Sequence, residues 1–231
     1  LMDRAVLSQT DQQAVLPLLP TSQVIKIGGH SIIDRGRIAL LPVIAELGRS
    51  AADHHLLISV GEGKRADHVY EIATDLGLPT GLLAILGDLS TEQNTNIIAA
   101  LMMQYGAVNV PIGLVPIFLN GGFPVVLSGM APYHWWAHPP LEGSIPEYRS
   151  DAGSYLTAET FGCRSMIYIK DVDGLYTADP KTNTDARLIR RISVRELLQD
   201  SLPSLPVEMS VIQMMQNAKQ MRRIQIINGL V

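Results

Sequence analysis

Val24-Ile25-Lys26-Ile27-Gly28-Gly29 is a short β-branched run halted by a glycine pair, with one lysine inside it. β-Branched residues suit a pleated strand, and glycines punctuate it. The same grammar returns at Leu56-Leu57-Ile58-Ser59-Val60, which stops at Gly61-Glu62-Gly63-Lys64-Arg65. Both strands are continuous apolar runs rather than alternating ones, as expected where both faces of a sheet are covered.

Outward from these two strands the pattern alternates strand and helix. A helical period runs through Leu41, Ile44, Ala45 and Leu47. Residues 64 to 76 read as a helix closed by Gly77 and Pro79. Ser90 and Gln93 have capping-box spacing and predict a helix from there to about Gln104. Pro124-Val125-Val126-Leu127 and Met166-Ile167-Tyr168-Ile169 read as further strands, with a helix over 151 to 161 between them. Ser193 with Glu196 is another capping box. Residues 207 to 222 predict a methionine-rich helix, followed by a strand at Arg223 to Asn228. Residues 130 to 149 carry proline, aromatic and histidine residues without a period and predict a long loop. The order predicts an α/β fold: a three-layer αβα sandwich with a mostly parallel central sheet. Residues 1 to 20 are expected to form an N-terminal arm and 21 to 231 a single domain. The true start is expected upstream of Leu1, and a closing strand beyond Val231.

Composition narrows the function. The chain has 231 residues, 47% of them hydrophobic and 17% charged, which is ample for a large core. A net charge of −4 without a basic block excludes a nucleic-acid groove. No apolar run approaches the roughly 20 residues that span a membrane. A mean hydropathy slightly above zero hints at buried subunit interfaces. The single cysteine, Cys163, fits a reducing cytoplasm.

Four strings could carry chemistry. Lys26 with Gly28 and Gly29 offers a point charge beside backbone that an anion can approach closely. Gly61 and Gly63, with Lys64 and Arg65, open a helix, and helix N-termini favour anions. An ordinary strand-to-helix turn explains the first string alone, and a capped helix with a solvated basic first turn the second, but their recurrence at successive strand ends makes both less satisfactory. Arg149-Ser150-Asp151-Ala152-Gly153 places an acid at a helix start, to orient a magnesium ion or a lysine, or simply to cap the helix. Lys170-Asp171-Val172-Asp173-Gly174-Leu175-Tyr176-Thr177-Ala178-Asp179-Pro180 is the most specific string: a lysine closing a strand, then a dense polar turn.

In this order and spacing the four strings resemble the amino-acid-kinase family, which includes uridylate kinase. The resemblance implies ATP binding, with Lys26 and Lys170 near phosphates, Asp151 organising transfer with Mg2+, and Asp173, Gly174, Tyr176 and Asp179 in the nucleotide loop. Gly87, Thr91 and Asn94 are similar to the acceptor-side helix of uridylate kinase. Ala84, however, replaces the aspartate expected for an acceptor ribose. Gly61-Glu62-Gly63 replaces a triple glycine, and 143 to 148 replace the stretch before the family's Thr-Asp pair. The chain is more similar to molybdenum storage protein subunits, β type, through Asp34-Arg35-Gly36, Gly61, Gly63, Arg65 and His68. Ser128 to Tyr133, Ile145 to Arg149 and Ile227 to Val231 strengthen that likeness. This resemblance implies a heterohexamer with a paralogous second subunit type. The assembly would store molybdate or tungstate as polyoxometalate clusters, supported by ATP. The alternative is a kinase of a nucleoside monophosphate or another small acid.

Tyr133-His134-Trp135-Trp136-Ala137-His138-Pro139-Pro140 supplies the candidate metal contacts, His134 and His138. Imidazole can ligate a metal when neutral or face an oxoanion when protonated. The Trp pair suits a subunit interface equally well. His54 and His55 read as an exposed turn, Cys163 as a buried small residue, and Met209, Met214, Met215 and Met221 as core filling on one helix.

Overall fold

The computed structural model describes residues 15–131, 144–200 and 202–231. In chain order its strands are β1 (Ser22–Ile27), β2 (His55–Val60), β3 (Val108–Asn109), β4 (Val125–Ser128), β5 (Ser165–Lys170), β6 (Leu175–Tyr176), β7 (Leu188–Ile189) and β8 (Ile224–Asn228). The helices are α1 (Arg37–Ser50), α2 (Lys64–Asp75), α3 (Thr80–Met102), α4 (Val115–Asn120), α5 (Ser150–Phe161), α6 (Val194–Asp200) and α7 (Met209–Met215). Six strands make one sheet in the order β3-β4-β2-β1-β5-β8, and every pairing in it is parallel.

Alternation along each strand explains the layers. Val24, Leu57, Val125 and Tyr168 point into one core with Val115 and Leu119 of α4, Tyr155 of α5 and Val211 of α7. Ile25, Ile58, Val126 and Ile169 point into the other, with Leu40 and Ile44 of α1 and Ile98 and Met102 of α3. Side chains of a strand leave on opposite faces in turn, so two helical layers sandwich the sheet. The predicted αβα sandwich with its parallel sheet is the fold found.

Several boundaries differ from the sequence reading. α3 begins at Thr80, ten residues before the capping box at Ser90. Ser90 is interior, and its hydroxyl donates to the Leu86 carbonyl one turn back, a local bond that imitates no cap. The helix expected over 207 to 222 ends at Met215. Beyond it the Glu159 carboxylate accepts the backbone N–H groups of Lys219, Gln220 and Met221, which holds that segment out of helix. Met221 is buried and Met214 and Met215 pack on the core, whereas Met209 is 42% exposed. β3, a two-residue edge strand, and the antiparallel β6–β7 pair carry too few residues to show a period.

The sheet's integrity rests on its central apolar strands. Leu57→Ala, at a fully buried position of β2, is expected to lower unfolding free energy by about 2–5 kcal/mol. An unchanged denaturant midpoint would contradict this layering.

Candidate functional site

Three strands bring their carboxyl ends to one cleft of about 390 Å3, lined by Lys26, Gly28, Gly29, Glu62, Asp151 and Lys170 among others. At its floor Asp151 sits between two lysines. Lys26 donates to Asp151 Oδ1, and Lys170 Nζ lies 2.8 Å from Oδ2 and 3.1 Å from Oδ1. Burial works to raise the Asp151 carboxyl, but Lys170 and then Lys26 more than offset it, holding it well below the usual carboxylate range. Lys170 is pushed down from the ordinary lysine range by burial, with Asp151 opposing. Asp151 is not the cap of α5. That office falls to Glu208, from the segment before α7, whose carboxylate accepts the N–H groups of Arg149, Asp151 and Ala152 at 3.0–3.1 Å. Of the alternatives the sequence left for Asp151, its side chain takes the lysine.

The two glycine turns abut. A Cβ on Gly29 would collide with the backbone of Gly63, and one on Gly61 with the Gly29 nitrogen and Lys26 Nζ. Gly63 also has φ +74°, a conformation side chains disfavour. Bonds from Gly28 N–H to the Ile169 carbonyl and from Gly61 N–H to the Ile27 carbonyl, both 3.0 Å, carry the sheet ladder to the mouth of the cleft. Asn94 of α3 fixes the second turn, its amide donating to the carbonyls of Gly61 and Glu62 at 2.8 and 2.7 Å. Arg65, expected at the ligand, instead donates to Asn94 Oδ1 and does not line the cleft. Gly87 has a packing role, since a Cβ there would meet the Tyr70 hydroxyl. The likeness of Gly87 and Asn94 to an acceptor helix therefore has a structural explanation in loop positioning.

Sequence reasoning assigned no site role to Glu62, Arg149 or Glu208. Glu62 is 4% exposed, and Arg149 Nη1 donates to its Oε1 at 3.0 Å. Its Oε2 and the Tyr70 hydroxyl, both buried, find no hydrogen-bond partner among the described residues. Burial pushes the Glu62 carboxyl up to about 7 against the pull of Arg149 and Lys26. The available signal was a glutamate between two glycines at a strand end, which sequence pattern alone treats as loop.

The polar string after β5 forms the outer wall. Gly174, Tyr176 and Asp179 line the cleft, while Asp173 stands behind it, accepting from Tyr176 Oη and Asn228 Nδ2, each at 3.0 Å. Asp171 pairs with Arg35 at 2.5 Å and Lys181 at 2.6 Å. Asp179 closes its own turn by accepting the Lys181 N–H at 2.9 Å. A resident magnesium ion fits poorly: both Asp151 oxygens are held by lysines, and no three His, Cys, Asp or Glu side chains among the described residues are placed to hold a metal ion together. His134 and His138 lie outside the described residues. Cys163 is buried, and burial pushes its thiol up to about 12. No helix among the described residues is long and apolar enough to cross a membrane.

Residues 22–228 match the amino acid kinase family. The chain belongs to that family. Among its relatives, the chain is 47% identical over 217 residues to the molybdenum storage protein subunit beta of Azotobacter vinelandii, covering 93% of this chain and 80% of that one. It is 30% identical over 154 residues to a uridylate kinase of Pyrococcus abyssi, covering 67% of this chain and 63% of the kinase. The crystal structure of uridylate kinase from Archaeoglobus fulgidus shares the fold of this amino acid kinase member. Its TM-score is 0.66 at 22% identity, over 90% of this chain and 89% of that one.

The triad gives a pH signature. A carboxyl held below its unfolded value of about 4 adds stability at neutral pH and loses it as pH falls below that value. Asp151→Asn leaves two lysines facing a neutral amide. It is expected to lower unfolding free energy by about 3–5 kcal/mol at pH 7 and by a smaller but still substantial amount at pH 3, because the folded carboxyl gives up its proton well below that pH. Equal losses at both pH values in urea titrations would contradict the pairing.

Proposed function

We propose that this chain is a subunit of a molybdenum or tungsten storage assembly that binds ATP in the cleft between β1, β2 and β5. The observation that carries the reading is the 47% identity to a storage subunit across 93% of the chain. The cleft supports the ATP component. Two lysines, both anchored to Asp151, stand where glycine turns let phosphate oxygens approach the backbone. In phosphoryl transfer the protein mainly positions groups and stabilises charge. Lys26 and Lys170 would face the phosphates, and Asp151 would hold their ammonium groups in place. The wall at 174 to 179 would face the nucleoside. Magnesium would arrive with the phosphates, since it is commonly bound through substrate oxygens and few carboxylates.

In this reading hydrolysis of ATP supports filling of a cavity with polyoxomolybdate or polyoxotungstate. A heterohexamer with a paralogous second subunit encloses that cavity in the cytoplasm. His134 and His138 are the proposed cluster contacts. A buried Ala84 at the place of an acceptor aspartate favours this over a nucleoside monophosphate kinase.

The test is elemental analysis of the purified assembly after incubation with ATP, magnesium and molybdate, then desalting, with a no-ATP control. Many molybdenum atoms per chain are expected, retained only when ATP was present, and fewer in the His134→Ala, His138→Ala double variant. No retained metal, with phosphate transferred to a monophosphate acceptor, would replace storage with the kinase reading.

A further inference from the structure

The inner end of the cleft is charge-balanced before any ligand enters. Lys26, Lys170 and Arg149 supply three cations; Asp151, Glu62 and Glu208 supply three carboxylates. A polyphosphate needs excess positive charge here. Two of the carboxylates are committed. Asp151 is bound by both lysines, and Glu208 caps α5 with three backbone N–H groups. Glu62 differs. Only one of its oxygens is engaged, by Arg149, while the other is buried without a partner among the described residues. An ionised carboxylate with a bare, desolvated oxygen is costly, and a second anion beside it raises that cost.

We propose that Glu62 takes up a proton when a polyphosphate enters the cleft, so that anion binding is proton-coupled and weakens as pH rises through neutrality. The inference rests on the reading of the cleft as a nucleotide site. Among the described residues, four charged groups bear most strongly on Glu62. Arg149, ahead of α5, and Lys26 of β1 favour its ionised form. Glu208 ahead of α7 and Asp151 of α5 oppose it. The Tyr70 hydroxyl of α2, itself raised by burial, stays neutral and brings no charge. The raised carboxyl near 7 places the change in a usable range. Protonation leaves the inner cluster with one net positive charge and frees Arg149 to face phosphate. Because the bound state holds the proton more tightly than the free state, affinity is flat well below pH 7. It falls above that, by at most about tenfold per pH unit for one proton.

The test is isothermal titration of ATP into the full-length protein at pH 7.5, in two buffers of different ionisation enthalpy. Protons from ATP itself cancel when wild type is compared with Glu62→Gln, which mimics the neutral acid. Wild type is expected to take up roughly half a proton more than the variant. Its affinity should fall about five- to tenfold from pH 6 to pH 8, against a shallower fall in Glu62→Gln. Should the variant fail to fold, infrared difference spectra of wild type decide instead. Tripolyphosphate should produce a gain in the protonated-carboxyl C=O stretch. Binding with equal proton uptake in both proteins, or no such infrared gain, overturns the proposal alone. Absence of ATP binding by wild type at any pH overturns the nucleotide reading and this proposal with it.

Discussion

A buried carboxylate held between two lysines is the constraint around which this site is organised. Asp151 opens α5, Lys26 lies in β1 and Lys170 closes β5, so one ion cluster ties a helix to two adjacent strands. Taking three charges out of water is expensive, and the cluster persists because each charge has a close partner of opposite sign. Tyr168 assists by donating its hydroxyl to the Asp151 carbonyl at 2.9 Å. Glu208 relieves the α5 terminus of its unpaired N–H groups, freeing the Asp151 side chain from that duty.

The glycine turns follow from the same geometry. A Cβ at Gly61 would crowd the Lys26 ammonium, and Gly29 and Gly63 approach closer than any side chain would allow. Asn94 then locks the second turn from behind, with Arg65 locking Asn94. The result is a rigid, narrow floor with ammonium groups beneath and a polar loop at the side. Such a floor suits phosphate oxygens, which are read by charge and backbone. The same frame in relatives named as a storage subunit and as kinases shows that the frame alone does not choose a function.

Much of this was legible in the chain. Continuous apolar runs at 24–27, 56–60 and 166–169, each ending in glycine or lysine, suffice to predict the parallel sheet and the edge where its cleft lies. Lys26 and Lys170 stand out because charged residues at the ends of buried strands need a reason, and Asp151 because it is an acid at a helix start. What escaped depended on contacts distant in sequence. Glu208 acts on residues 56 and more positions away, and nothing near it announces a cap. Glu62 gains its character from burial, which a Gly-Glu-Gly string does not encode. Arg65 misled for the opposite reason: a cation in a helix's first turn suggests an anion, but Asn94 lies within its reach. Ser90 and Gln93 had the spacing of a cap without its backbone, because a long helix was already under way.

The account turns on whether polyphosphate occupies the floor built by this ion cluster. A crystal structure of the protein with bound ATP tests that most directly. The account predicts the terminal phosphates within hydrogen-bond reach of Lys26 and Lys170, against the turns at Gly29 and Gly63, with the nucleoside along residues 174 to 179. Nucleotide bound elsewhere, with both lysines still closed on Asp151 and no phosphate beside them, would contradict it.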